Sequence, residues 1–196
     1  NQNSGLFGLR KTGKTSIIYD VIRKLSADES IGIFVDCQGT SFNMRRWNNA
    51  IYYVLKQLAD KVEIPTLDED QFTETKAGEL FQNEILNIHQ KTGKSILLLF
   101  DEIENITFQK SPVSHWRDGL DFVYFWQCIR SAYQSLPAGT FTFCILGTNA
   151  KCVEEALING SDNPIFDVFQ PKYIPGFTVP QTREMVRKLG RLMGIQ

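Results

Sequence analysis

The chain has 196 residues, 42% of them hydrophobic, with 21 basic against 22 acidic side chains and a formal net charge of -1. That length suits one α/β domain, and the near-neutral balance leaves no global electrostatic footprint for nucleic acid or an anionic membrane surface. No apolar run is long enough to span a bilayer and no secretory pattern opens the chain, so a soluble, cytoplasmic protein is expected.

Leu6 and Phe7 end a first apolar strand, and Gly8 to Thr15 then read Gly-Leu-Arg-Lys-Thr-Gly-Lys-Thr, a full phosphate-loop pattern. In this spacing the backbone N–H groups of Gly8, Leu9, Arg10, Lys11, Thr12 and Gly13 curl around phosphate. Lys14 supplies a cation to the β and γ phosphates, and Thr15 a hydroxyl to Mg²⁺. Ile17, Ile18, Val21, Ile22 and Leu25 follow at helical spacing, so the motif lies between a strand and a helix whose N-terminus points at the phosphates. The stretch Lys91-Thr92-Gly93-Lys94-Ser95 imitates the end of this motif. It has Ile88 where the first glycine belongs and is followed by a strand, which makes it a polar turn.

Ile31 to Cys37 is apolar and β-prone, a buried parallel strand. Met44, Trp47, Ile51, Val54, Leu55 and Leu58 keep helical period; 62–73, acidic and containing Pro65, reads as a loop. A helix is expected from about Glu74 to His89, with Ala77, Leu80, Phe81, Ile85 and Ile88 inward. Ile96 to Phe100 is the next strand, and a loop with Pro112 leads to an aromatic-rich helix from about Gly119 to Ser135. Thr140 to Leu146 reads as a strand, Cys152 to Ile158 as a short helix, the residues around Tyr173 and Ile174 as a last strand, and Pro180 to Met193 as a helix. Alternating strands and helices imply an α/β fold with a parallel sheet between two helical layers, its ligand at the carboxyl ends of the strands. The chain begins almost inside its first strand and stops soon after a helix starts, so a segment of a longer protein, with flanking domains, is expected.

The polar motifs fall at those strand ends. After the strand at residues 96–100, Asp101 is placed to hold Mg²⁺ and Glu102 to orient or deprotonate the water that attacks the γ phosphate. Glu104 is expected to lie off the site. Asn149, with Thr148 as the alternative, is placed to sense the γ phosphate. The Asn-Lys-x-Asp motif that reads guanine is absent, so ATP is the expected nucleotide. Cys37, Cys128, Cys144 and Cys152 are widely spaced and read as reduced thiols, and His89 and His115 are isolated, against a metal site or a Cys/His nucleophile. The aromatic cluster Phe122, Tyr124, Phe125, Trp126 and Trp116 reads mostly as core. Arg183, Arg187, Arg191 and Lys188 share one side of the last helix and read as a solvated face.

Gly-Leu-Arg-Lys-Thr-Gly-Lys-Thr-Ser, the Asp-Glu strand end, the strand closing in Gly-Thr-Asn and the tail Tyr-Ile-Pro-Gly-Phe-Thr resemble the STAND branch of the AAA-like P-loop ATPases, near its archaeal-ATPase-like members. The resemblance implies a three-layer fold with sheet order 5-1-4-3-2, a nucleotide domain over 1–174, and the start of a helical lid or winged-helix region over 175–196. It also implies a slow, Mg²⁺-dependent ATPase that acts as a molecular switch and assembles into a homo-oligomer in one nucleotide state. Carried onto this chain, Gly8, Gly13, Lys14, Thr15 and Ser16 bind phosphate and Mg²⁺, Asp101 and Glu102 serve metal and water, and Asn149 senses the γ phosphate. Pro175 then reaches the nucleotide from the lid side. Arg130 is the one candidate weighed as an arginine finger. The alternative reading is an origin-recognition-like or mobile-element ATPase that binds DNA.

Overall fold

Strand and helix alternate along the computed structural model, which describes residues 3–25 and 29–194. The strands are β1 (Ser4–Phe7), β2 (Ser30–Asp36), β3 (Ser95–Asp101), β4 (Phe141–Gly147), β5 (Leu157–Ile158), β6 (Ser161–Asp162) and β7 (Gln170–Tyr173). The helices are α1 (Lys14–Lys24), α2 (Thr40–Asn43), α3 (Trp47–Lys61), α4 (Ala77–Thr92), α5 (Ser114–Arg117), α6 (Leu120–Ser135), α7 (Lys151–Glu154) and α8 (Val179–Leu192). Five strands form one parallel sheet in the order β2-β3-β4-β1-β7. Counted within the sheet alone, that order is 5-1-4-3-2, as the resemblance implies.

The registers bring the functional strand ends level. Asp36 pairs with Asp101 across β2 and β3, and Phe7 pairs with both Gly147 and Tyr173 across β4, β1 and β7. The loop after β1, the carboxylates after β3 and the polar turn after β4 therefore share one edge.

Alternation along β3 divides the core. Ile96, Leu98 and Phe100 join a large cluster filled by α3, α4 and α6, in which Phe81, Phe125, Trp126 and Phe143 are fully buried. Leu99 faces the opposite way, into a small cluster with Ile18 and Leu146, which Leu6, Ile22, Phe34, Leu97 and Cys144 pack against. Of the expected aromatic cluster, Trp116, Phe122, Phe125 and Trp126 are core and Tyr124 is exposed.

Several elements differ from the sequence expectation. Ile17 and Val21 of α1 are exposed, and of the helix's apolar side chains only Ile18 is buried, because α1 meets the sheet along a narrow line. Met44 caps α2 instead of joining α3, and its side chain faces solvent. The helix placed from Glu74 begins at Ala77, after a turn in which Thr73 O accepts from the amides of Lys76 and Ala77, and it runs on to Thr92. Gly93, at φ 67, ends it by donating to His89 O, which settles 91–95 as a helix stop and strand start. The helix expected over Cys152 to Ile158 is α7 alone; Leu157 and Ile158 enter a hairpin turned by Asn159 and Gly160 at φ 50 and 84.

The last helix is where the sequence puts it. Thr178 and Gln181 form a reciprocal capping box at its start. No residue of α8 is buried, and Arg183, Arg187, Lys188 and Arg191 are solvated, with Lys188 paired to Glu184 at 2.8 Å. Among the described residues, no helix is long and apolar enough to cross a membrane.

Candidate functional site

The loop between β1 and α1 turns tightly on its own atoms. The Lys14 ammonium donates to the carbonyls of Gly8 at 2.8 Å and Leu9 at 3.1 Å, and the Thr12 hydroxyl donates to Leu9 O at 2.8 Å. Lys14 is thereby buried within the loop, while Leu9, Arg10, Lys11 and Ser16 are exposed. Gly13 starts the helix at φ 89, a left-handed conformation that a side chain resists. Among the described residues, the amides of Leu9, Arg10, Lys11 and Gly13 donate to no backbone carbonyl. Those of Lys14, Thr15 and Ser16 open α1, which has no side-chain cap and no acid in its first turn. A run of unpaired donors at a helix's positive end suits an anion.

Thr15 is the link to β3. Its hydroxyl donates to Asp101 Oδ2 at 2.7 Å, across 86 residues of sequence. Asp101 is buried, and its other oxygen accepts from the Glu102 amide at 2.9 Å. No group of three His, Cys, Asp or Glu side chains gathers as a metal site among the described residues. A hydroxyl and one carboxylate do fit Mg²⁺, which completes its shell with water and phosphate oxygens.

Glu102 sits in the left-handed region, φ 53 and ψ 44, at the point where β3 turns into a 3₁₀ segment, Ile103–Asn105. The Asn105 side chain and amide both donate to Glu102 O, which holds that turn. Glu102 Oε2 is buried without a hydrogen-bond donor. Burial, then the charge and close approach of Glu104, then the charge of Asp101 push the Glu102 carboxyl above the usual range, against the opposing pull of Lys14. A carboxyl raised in this way is, when ionised, the stronger base and is suited to accept a proton.

The turn after β4 brings the third motif. Asn149 Oδ1 accepts from the Lys151 amide at 2.7 Å at the entry to α7, which leaves its Nδ2 as the donor. Thr148 is held by Glu104, through its hydroxyl at 2.7 Å and its amide at 3.2 Å. Glu104, expected off the site, is thus a neighbour of both Glu102 and the turn after β4; the reach of a Glu across two strands is invisible in a one-dimensional pattern.

The segment entering Pro175 also reaches the loop. Ile174 N donates to Phe7 O at 2.7 Å, and a Cβ built on Gly8 would lie 3.2 Å from Ile174 Cβ. Pro175 itself is exposed next to that contact. The Nη1 of Arg130 donates to Pro164 O at 3.0 Å within the same chain. His89 and His115 pair separately with Lys94 O and Asp121. Burial pushes the Cys144 thiol up to about 11 and the Cys152 thiol up to about 12, so neither is a nucleophile at neutral pH.

Among solved structures, the Aeropyrum pernix ORC2 protein, determined as ADPNP-ADP complexes, is similar over 97% of this chain with a TM-score of 0.63 and 10% identity. The fold is that of the P-loop NTPases. A second similar structure, the HORMA:CdnC:Trip13 complex of E. coli MS115-1, matches 99% of this chain with a TM-score of 0.54 and 14% identity. The chain spans 46% and 55% of those two chains, about half their length. No protein-family model and no curated protein matches it. In P-loop terms, residues 8–15 wrap the start of α1, and Thr15 joins them to the acidic end of β3.

Proposed function

We propose that this chain is an ATP-binding and ATP-hydrolysing switch domain of a larger STAND-type ATPase of the signalling or defence kind. Residues 1–174 would form the nucleotide domain and 175–196 open a lid or winged-helix region. The observation that carries this reading is the Thr15–Asp101 hydrogen bond, because it joins the full loop pattern to an Asp-Glu strand end that by itself would be a common strand terminus.

Lys14 and the unpaired amides of the loop take the phosphates, with Gly8, Leu9, Arg10, Lys11, Thr12, Gly13, Thr15 and Ser16 lining them. Thr15 and Asp101 would hold Mg²⁺, which when bound neutralises charge on the β and γ oxygens. Glu102 orients the attacking water and accepts its proton, and Asn149 Nδ2 reads the γ phosphate. Pro175 approaches the nucleotide from the lid side, supported by the contact of Ile174 with Gly8. Adenine follows from the missing guanine motif, since Thr148-Asn149-Ala150-Lys151 leads into α7. Nucleotide-dependent self-assembly in the cytoplasm completes the reading; the uncovered apolar side chains of α1 and α8 are consistent with a further packing partner.

Turnover tests the site directly. Glu102→Gln should slow ATP hydrolysis about 100-fold or more while ATP affinity stays within about threefold of the parent. A Glu102→Gln variant that turns over as fast as the parent contradicts the assignment.

A second reading, an origin-recognition-like ATPase that binds DNA, draws support from the fold likeness to the ORC2 protein and from the solvated arginines of α8. Salt-dependent DNA binding by the full-length protein would favour it, with affinity falling steeply as salt rises.

A further inference from the structure

Glu104 is not used in the reading above, yet its carboxylate holds the turn after β4 at two points. It lies in the 3₁₀ turn Ile103–Asn105, two residues past Glu102, and reaches across to the end of β4. Its two oxygens divide the work: Oε1 accepts from the Thr148 hydroxyl at 2.7 Å, and Oε2 accepts from the Thr148 amide at 3.2 Å.

The approach is close enough to demand a glycine. A Cβ on Gly147 would lie 2.7 Å from Glu104 Oε2 and 2.7 Å from Ile103 Cγ2. The peptide that Glu104 grips is the one joining Gly147 to Thr148, and its other end is also engaged. Gly147 O accepts from the amide of Gly8, the first residue of the P-loop, at 3.1 Å. A single peptide group thus carries a hydrogen-bonded chain from the Glu104 carboxylate to the start of the P-loop, and each bond polarises the next. Asn149 is the following residue, and its own side chain is fixed by the Lys151 amide.

We propose that Glu104 is a positioning residue for hydrolysis: by clamping the 147–148 peptide and the Thr148 hydroxyl, it fixes Gly8 and Asn149 relative to Glu102. The inference rests on the ATPase reading above and adds a residue to it. Glu104 touches neither nucleotide nor water; its positioning acts through Thr148, apart from the charge it places beside Glu102. Its carboxylate geometry matters more than its charge. A glutamine can keep both contacts, accepting from the Thr148 amide and donating to the hydroxyl oxygen, whereas an alanine keeps neither.

The test compares kcat, ATP KM and melting temperature for the parent, Glu104→Ala, Glu104→Gln, Thr148→Val and the double variant Glu104→Ala/Thr148→Val. Glu104→Ala should lower kcat about tenfold to 100-fold with ATP KM within about threefold, as misplacement of reacting groups does. Glu104→Gln should recover most of that loss. Thr148→Val, which loses the hydroxyl contact and keeps the amide one, should fall between, and the double variant should be no worse than Glu104→Ala, because Thr148→Val removes nothing that Glu104→Ala has not already broken. Parent-like kcat in Glu104→Ala overturns the clamp and leaves the ATPase reading intact. A Glu104→Gln as slow as Glu104→Ala also overturns it, since charge alone would then be at work. Loss of kcat and affinity together with a lowered melting temperature assigns Glu104 a purely structural role, and Thr148→Val checks that conclusion in a chain with its carboxylate in place. A parent that hydrolyses no ATP overturns the ATPase reading first and the clamp with it.

Discussion

The two faces of the sheet are built very differently. One is covered by α3, α4 and α6 over a deep aromatic layer, where Trp126 alone meets Phe100, Phe122, Phe125, Phe143 and Phe169 edge-on or stacked. The other has α1 over three fully buried residues, Ile18, Leu99 and Leu146, with Ile17 and Val21 left at 42% and 39% exposure. The thick face also carries a polar tie, in which buried Asp121 accepts from the Arg46 guanidinium at two points, the Trp47 amide and His115. The loop of residues 8–13 leads into the helix of the thin face, while Asp101 ends β3, next to the central strand β4, and Glu102 follows it. The lesson is a division of labour: a heavily packed layer fixes the strand ends, and a lightly held helix bears the loop of residues 8–13.

Removing a large side chain from each face separates the two roles. Trp126→Ala should destabilise the protein by about 3–5 kcal/mol, a large part of the stability of any domain, and should appear as a collapse of the thermal transition. Ile18→Ala should cost about 2 kcal/mol, the low end for its type, because so narrow a cluster relaxes around the loss. Equal losses at the two sites would show that the thin face is as rigid as the thick one.

A smaller effect concerns the strand end between the faces. The Glu102 carboxyl is raised in the folded protein, so the folded state keeps that proton to higher pH than the unfolded chain does. Its contribution is full at low pH and falls as pH rises past the ordinary carboxylate value of about 4.3. Glu102→Gln stays neutral throughout and should melt slightly above the parent near neutral pH. The gain should vanish at about pH 4, where the parent is protonated too. A gain independent of pH would assign it to something other than charge.

What the sequence made legible follows from the range of each interaction. The phosphate loop, the Asp-Glu strand end and the alternation of strand and helix are local patterns, and each is found in the fold at its expected place. The Asn159-Gly160 hairpin was also locally encoded, since that pair is the strongest short turn signal, but the helical period of residues 152–158 obscured it. The exposure of Ile17 and Val21 could not be read from periodicity, which gives the apolar side of a helix and not the width of what covers it. The grip of Glu104 on Thr148 spans 44 residues and depends on two strands being adjacent in the sheet and on a glycine between them. Such contacts are a property of topology, and no spacing announces them.

The central claim is that residues 8–15 and 101–102 form one Mg²⁺-dependent ATP site. Titration calorimetry of ATP with Mg²⁺ into the parent and into Lys14→Ala tests it most directly. The account predicts binding by the parent that weakens when Mg²⁺ is withheld, and about 100-fold or greater loss of affinity in Lys14→Ala, whose ammonium is removed from the loop. Equal affinity in the two proteins, or no binding by the parent, would contradict it.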